Sequence, residues 1–163
     1  MSTKRRLLVV EDDDSKLRAL VDFLLETCGR KTIEIVEAKS HSSATRAVER
    51  EQFDLAIVDM SLPSFDLAKD TQGGGPPLGF GGRELLRLLE AEAPDTKAIV
   101  VTQYPAFSET ERGERASFSE LEQQLKKEFG DQFLGMVYYE GKQGAWRSQI
   151  KGLLTLQGMG QES

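Results

Sequence analysis

Residues 55–63 read Leu55-Ala56-Ile57-Val58-Asp59-Met60-Ser61-Leu62-Pro63, an apolar run that ends in a carboxylate. Four consecutive apolar residues without polar alternation are typical of a strand that is buried on both faces of a sheet. A carboxylate directly after such a strand lies at the carboxyl edge of the sheet, where open α/β folds place their sites. The stretch therefore predicts a parallel α/β sheet with Asp59 at its functional edge.

A second apolar run, Leu7–Val10, also ends in acidic residues, Glu11-Asp12-Asp13. If the two strands are neighbours, their carboxylates meet at one edge of the sheet. Oxygen ligands collected in this way suit a hard divalent cation, and we expect Mg²⁺. A carboxylate beside such a cation can also attack a phosphoryl group, and Asp59 is the candidate nucleophile.

Five apolar runs of strand length alternate with five stretches of helical periodicity. The strands are predicted over Leu7–Val10, Thr32–Val36, Leu55–Val58, Ala98–Thr102 and Leu134–Tyr139, and the helices over Ser15–Thr27, Ser42–Glu51, Arg83–Glu92, Ser117–Phe129 and Ala145–Leu156. This alternation predicts a doubly wound five-stranded parallel sheet with right-handed crossovers and helices on both faces. We expect one domain over residues 1–163, with its core over about residues 5–156.

Two connections are longer than this plan requires. The first, over about residues 64–81, contains Gly73-Gly74-Gly75-Pro76-Pro77, and the second, over about residues 103–116, is highly charged. Loops of this length in a compact domain are usually functional or mobile. Both leave the predicted acidic edge, so each is a candidate lid or partner-docking surface.

Composition excludes several classes of function. The formal charge of −6 and the isoelectric point near 5.0 argue against broad binding to nucleic acids or anionic membranes. Cys28 is the only cysteine, which excludes an intramolecular disulfide and a cysteine-rich zinc site. No stretch approaches the roughly 20 apolar residues of a membrane span, and charge appears too early for a signal peptide. We expect a cytoplasmic protein without membrane or direct nucleic-acid partners.

The chain resembles the receiver domain of two-component response regulators over nearly its whole length. Asp59-Met60-Ser61-Leu62-Pro63 looks like the phosphoacceptor segment of that family, and Leu7–Asp13 looks like its first strand and acidic pair. Ala98–Thr102 places a hydroxyl at the end of the fourth strand, as in the family. The resemblance implies a flavodoxin-like sheet with strand order 2-1-3-4-5.

The resemblance also implies a mechanism. Glu11, Asp12, Asp59 and the backbone carbonyl of Ser61 would hold Mg²⁺, while Asp59 would accept the phosphoryl group of a phosphohistidine. The implied donor is a sensor histidine kinase or a phosphotransfer protein. Thr102 would bind the new phosphoryl oxygen and couple phosphorylation to the following loop. The implied output is contact with a downstream protein, and a homodimer is left open.

The sequence departs from the family in three places. Aligning on the last helix puts Tyr139 near the position of the family's strand-end lysine, and Lys142, a few residues later, is the alternative carrier of that charge. Gln103 follows Thr102, where the family usually has a small residue. The insertion after Pro63 replaces a short link to the third helix. The chain is therefore identified as an atypical receiver.

Three functions remain open from the sequence. The first is a single-domain response regulator that is phosphorylated on Asp59 and signals through protein contacts, without being an enzyme beyond its own phosphorylation and dephosphorylation. The second is a phosphorylation-independent adaptor that binds a partner through the inserted loops. The third is a Mg²⁺-dependent phosphohydrolase, which commonly has an acid/base aspartate two residues after the nucleophile, where this chain has Ser61.

Overall fold

The computed structural model describes residues 4–60, 81–103, 106–109, 115–141 and 144–159. Its strands are β1 (Arg5–Val10), β2 (Ile33–Ala38), β3 (Leu55–Asp59), β4 (Lys97–Thr102), β5 (Ala106–Glu109), β6 (Arg115–Ser117) and β7 (Phe133–Tyr138). Its helices are α1 (Asp14–Cys28), α2 (His41–Arg50), α3 (Gly81–Glu92), α4 (Phe118–Phe129) and α5 (Trp146–Leu156). Apart from β5 and β6, which the sequence did not predict, these bounds agree with the predicted elements to within a few residues.

The main sheet has the strand order β2-β1-β3-β4-β7, and every neighbouring pair is parallel. With β7 counted as the fifth long strand, this is the predicted order 2-1-3-4-5, and the predicted fold class is confirmed. Parallel neighbours need a crossover that returns the chain to the starting edge of the sheet, and the helices supply these connections. The carboxyl ends of β1 and β3 consequently lie side by side.

Alternating side chains of each strand contribute to two cores, one on each face of the sheet. Along β3, Leu55 and Ile57 pack with α1 and α5, whereas Ala56 and Val58 pack with α2, α3 and α4. All four of these residues are fully or almost fully buried. A strand that is covered on both faces needs a continuous apolar run, which is why this segment shows no polar alternation.

The helix ends follow from local chemistry. Asp13 caps α1 by accepting a hydrogen bond from the Lys16 backbone N–H at 2.9 Å. Gly29 follows the helix with φ of 92°, a conformation that favours glycine, and its N–H donates to the Leu25 carbonyl. Helix α2 begins with a capping box in which the side chains of Ser40 and Ser43 bond each other's backbone N–H groups.

One predicted loop contains regular structure. Within residues 103–116 and the residue that follows them, β5 and β6 pair as an antiparallel ribbon separate from the main sheet. Most of the other predicted insertion, residues 64–80, lies outside the described residues, as do Ser61 and Lys142. None of the five helices traced here combines the length and the apolar character needed to cross a membrane.

Candidate functional site

Three carboxylates meet at the carboxyl edge of the sheet. Glu11 directly follows β1, Asp59 ends β3, and Asp12 stands at the start of the turn into α1. One oxygen from each lies within 4.8 Å of the other two. Glu11 and Asp59 are buried, with 1% and 5% of their surface exposed, whereas Asp12 is exposed. The adjacent parallel strands thus bring together the three side chains that the sequence selected as metal ligands.

The three residues of the acidic run Glu11-Asp12-Asp13 have different structural roles. The Asp13 carboxylate caps α1, and the Asp13 backbone N–H donates to Glu11 Oε2 at 3.1 Å. The cap holds the first turn of α1 against the site, and the bond from the backbone holds one oxygen of Glu11. Asp13 is therefore a structural member of the run, while Glu11 and Asp12 face the carboxylate of Asp59.

Lys16 is a site residue that the sequence reasoning missed. Its side chain is 2% exposed, and its Nζ lies 2.7 Å from Glu11 Oε1 and 3.6 Å from Asp59 Oδ1. The sequence contained a signal for this position, because Lys16 precedes Leu20 by four residues and Leu24 by eight. That spacing puts a charged residue on the apolar stripe of α1, where it must find a partner.

Burial and neighbouring charge perturb the acidic groups. Burial raises the pKa of Glu11 to about 8, the charge of Lys16 opposes this shift, and the negative charge of Asp59 adds to it. Burial, and then the negative charge of Asp59, also raise the pKa of Asp12. The carboxylates of Glu11 and Asp12 thus lie in surroundings where the binding of a further positive charge is favourable.

The fourth strand brings Thr102 to the same edge. The sequence predicted a hydroxyl-bearing residue at the end of this strand. Strand β4 does end at Thr102, and this residue is fully buried. The preceding residue, Val101, pairs with Asp59 across the sheet. The Thr102 carbonyl accepts a hydrogen bond from the Tyr139 N–H at 2.7 Å, and Gln103 is exposed. Thr102 therefore ends the strand next to the one that carries Asp59.

Tyr139 follows β7 at the position near which the alignment put the family's lysine. Its side chain is buried, and its ring centroid lies 5.0 Å from that of Trp146 and 5.5 Å from Lys16 Nζ. The alternative carrier of the charge, Lys142, lies outside the described residues, and its role stays a prediction. The ring of Tyr139 and the ammonium of Lys16 are therefore in contact beside the acidic cluster.

Helix α3 approaches the backbone of the site closely through Gly82. The Gly82 N–H donates to the Met60 carbonyl at 2.9 Å. A Cβ atom at this residue would lie 2.5 Å from the Asp59 carbonyl oxygen and 2.8 Å from Met60 Cα, well inside van der Waals contact. Only a glycine allows α3 to start at this distance from Asp59.

The donor set fits Mg²⁺. Glu11, Asp12 and Asp59 supply only oxygen ligands, which magnesium prefers, and the exposure of Asp12 leaves one side open to water or phosphate oxygens. Glu11 Oε1 is buried and accepts no well-aligned hydrogen bond, although the Lys16 ammonium lies beside it. A buried carboxylate oxygen without a well-aligned hydrogen bond, on a residue of an acidic cluster, is a favourable ligand for a cation.

Comparison with known proteins shows the fold. No family model matches the chain. The uncharacterized protein y4jR of Sinorhizobium fredii (strain NBRC 101917 / NGR234) is 24% identical over 146 residues, which make up 90% of this chain and 94% of that protein.

Two solved structures are informative. A CheY-like response regulator receiver domain protein from Methanospirillum hungatei JF-1 has a TM-score of 0.60 and 20% identity, covering 97% of this chain and 100% of that one. The response regulator protein TrrA from Thermotoga maritima, in complex with Mg²⁺-BeF, has a TM-score of 0.55 and 21% identity, covering 92% of this chain and 99% of that one. The similarity extends over nearly the full length of all the chains compared.

Proposed function

We propose that this chain, which has the fold of response-regulator receiver domains, is a response regulator that accepts a phosphoryl group on Asp59. The observation that supports the proposal best is the convergence of Glu11, Asp12 and Asp59 at the carboxyl edge of that fold. The proposed donor is the phosphohistidine of a sensor kinase or of a phosphotransfer protein, and the proposed location is the cytoplasm. The output is a protein contact that changes with phosphorylation.

In the proposed reaction an Asp59 carboxylate oxygen attacks the phosphorus atom of the donor. The new bond joins that oxygen to phosphorus, the bond from phosphorus to the histidine nitrogen breaks, and the nitrogen keeps the electron pair. The product is an acyl phosphate on Asp59, which water hydrolyses to the carboxylate and inorganic phosphate. Because such transfers have loose transition states, the chain contributes position and charge rather than covalent chemistry.

Glu11, Asp12 and Asp59 would hold Mg²⁺, with the Ser61 backbone carbonyl as a fourth ligand that the resemblance implies. When bound, the ion neutralises the carboxylates and lets an anionic donor approach. The complex of TrrA with Mg²⁺-BeF is a precedent for this composition in a chain of the same fold. Thr102, at the end of the adjacent strand, is proposed to bind the phosphoryl group and to relay its presence to the residues that follow.

In the sequence, the adaptor hypothesis was supported by the missing strand-end lysine and by the bulky Gln103 after Thr102. A site without a cation opposite Asp59 would respond weakly to phosphorylation, and the sequence showed no lysine at the end of the fifth strand. Lys16 places an ammonium 3.6 Å from Asp59 Oδ1, so the site does contain such a charge. This contact favours the switch over the adaptor.

Intact-protein mass spectrometry after incubation with acetyl phosphate and Mg²⁺ tests the proposal. We expect a single phosphoryl adduct on the parent chain and none on Asp59→Asn. Asp14→Asn is the matched control, because Asp14 is also acidic but has an exposed side chain at the start of α1; it should be labelled like the parent. No adduct from acetyl phosphate or from a phosphohistidine donor, with Mg²⁺ bound, would support the adaptor. Multiple turnover of the donor without an adduct would support the phosphohydrolase.

A further inference from the structure

Lys16 is a buried cation in the middle of an acidic site. Lysine side chains are almost never fully buried unless they are paired, and this one is 2% exposed. Its Nζ lies 2.7 Å from Glu11 Oε1, a distance typical of a charge-assisted contact. The cost of burying both charges is offset only if each has the other as a partner. The ion pair with Glu11 therefore fixes the Lys16 ammonium within the site.

Helix α1 directs Lys16 into the site. The Asp13 side chain accepts the Lys16 backbone N–H, which makes Lys16 the third residue of the helix. Side chains of an α-helix lean toward its amino terminus, and α1 begins at the carboxyl edge of the sheet, three residues after Glu11. A long side chain at this position consequently reaches the carboxylates of β1 and β3.

The ring of Tyr139 also contacts the ammonium of Lys16. Its ring centroid lies 5.5 Å from Lys16 Nζ and is itself packed against Trp146. Aromatic faces attract cations at this distance. Contacts with both Glu11 and Tyr139 therefore hold Lys16 within the site.

The contact with Asp59 leaves capacity for another ligand. The separation of 3.6 Å between Lys16 Nζ and Asp59 Oδ1 is too long for a hydrogen bond. An ammonium has three N–H donors, and the Glu11 oxygen beside it, Oε1, accepts no well-aligned hydrogen bond. A phosphoryl group on Asp59 would bring additional oxygens into the immediate surroundings of Nζ.

We infer that Lys16 is the cation that binds the phosphoryl group on Asp59, supplied by helix α1 in place of a lysine at the end of the last strand. This inference rests on the proposed function. Phosphorylation replaces the single charge of the carboxylate by about two charges on the phosphate. The ammonium of Lys16 lies close enough to Asp59 to compensate the added charge without a large movement of the backbone.

This role predicts two effects of opposite sign. Lys16 and Mg²⁺ are both positive and face the same carboxylates, so removal of Lys16 should strengthen Mg²⁺ binding. Lys16 and Mg²⁺ together neutralise a phosphoryl group, so its removal should weaken binding of a phosphoryl mimic. A side chain with only a structural role would weaken both when it is removed. The pair of measurements therefore separates an electrostatic role from a structural one.

The experiment compares Lys16→Gln with Lys16→Arg and the parent chain. Glutamine keeps an N–H donor for Glu11 but removes the charge, whereas arginine keeps the charge. Lys97→Met is the matched control, because Lys97 begins β4 at the opposite edge of the sheet. Calorimetric titration near pH 9, above the pKa of about 8 of Glu11, gives the Mg²⁺ dissociation constant. Titration with beryllofluoride at saturating Mg²⁺ gives the affinity for a phosphoryl mimic.

For Lys16→Gln we expect Mg²⁺ binding about tenfold tighter and beryllofluoride binding at least about tenfold weaker than in the parent. Lys16→Arg should bind beryllofluoride within about threefold of the parent, and Lys97→Met should match the parent in both titrations. Weaker binding of both Mg²⁺ and beryllofluoride in Lys16→Gln, which is the result expected of a structural role, would overturn the inference, and so would unchanged beryllofluoride binding.

Two further outcomes are distinguishable. If the parent binds neither beryllofluoride nor the phosphoryl group of acetyl phosphate, the proposed function fails, and the Mg²⁺ titration alone decides whether Lys16 competes with the cation. If Lys16→Gln does not fold, Lys16→Arg decides. Retained beryllofluoride binding in a folded Lys16→Arg protein supports the role of the charge, and loss of that binding contradicts it.

Discussion

Substitution of Gly82 by alanine tests whether the close approach of α3 sustains the site. The added Cβ would lie 2.5 Å from the Asp59 carbonyl oxygen, 2.8 Å from Met60 Cα and 3.1 Å from the Asp59 carbonyl carbon. All three atoms belong to the backbone, so no flexible side chain can move aside. Either the first turn of α3 or the end of β3 must shift, and the second movement displaces Asp59.

The expected magnitude follows from two opposing terms. Overpacking of a tight contact costs typically 1–3 kcal/mol, and a contact with backbone belongs near the upper end, about 3 kcal/mol. Replacement of glycine by alanine in a helix contributes about 1 kcal/mol in the other direction. The net loss in the free energy of unfolding is therefore about 2 kcal/mol, which lowers the melting temperature of a chain of this size by about 4–8 °C.

Gly152→Ala is the matched control. Gly152 lies within α5, and a Cβ atom there would meet no atom within 4 Å. We expect this variant to gain about 1 kcal/mol, because only the helix term remains. Urea unfolding followed by circular dichroism measures both changes. If Gly82→Ala is as stable as the parent and binds Mg²⁺ equally well, the close approach has no energetic consequence and the reasoning is refuted.

Two other experiments test the site and the helix ends. Because burial and the charge of Asp59 raise the pKa of Glu11 to about 8 against the opposing charge of Lys16, Mg²⁺ must displace a proton below that pH. Its affinity, measured by calorimetry, should increase by up to about tenfold per pH unit from about pH 6 to 8 and then level off, whereas Glu11→Gln should show no such slope. Ser40→Ala removes the cap of α2 and should cost about 1 kcal/mol in urea unfolding, while Ser148→Ala, on the exposed face of α5, should cost less than about 0.5 kcal/mol; equal losses would contradict the capping argument.

The sequence was sufficient for the main sheet because the relevant signals are local. An uninterrupted apolar run such as Leu55–Val58 indicates a strand covered on both faces, and helical spacing between such runs indicates the crossovers. Gly29 marks the end of α1 for the same local reason, since its φ of 92° favours glycine. The ribbon of β5 and β6 was missed because both strands are short and lie in the highly charged segment of residues 103–116. Their pairing depends on backbone hydrogen bonds rather than on an apolar pattern.

The candidate site was only partly predictable. Glu11, Asp12 and Asp59 were identified because a carboxylate that follows a buried strand of a parallel sheet lies at the carboxyl edge of that sheet. Lys16 was missed because a lysine within a helix normally lies on its solvated face, and the sequence does not state which partner would keep it buried. Its spacing from Leu20 and Leu24 was the available signal. Recognising that signal requires the position of β3 beside α1.

The sequence by itself determined the element order, the parallel sheet and the edge at which the acidic residues collect, because periodicity and strand ends are properties of short segments. Only the tertiary structure decided that Lys16 stands 3.6 Å from Asp59 Oδ1 and that α3 meets the Asp59 backbone at Gly82. Both contacts join residues that are more than 20 positions apart in the chain. Such distances depend on how helices pack against the sheet, and packing is a property of the whole fold.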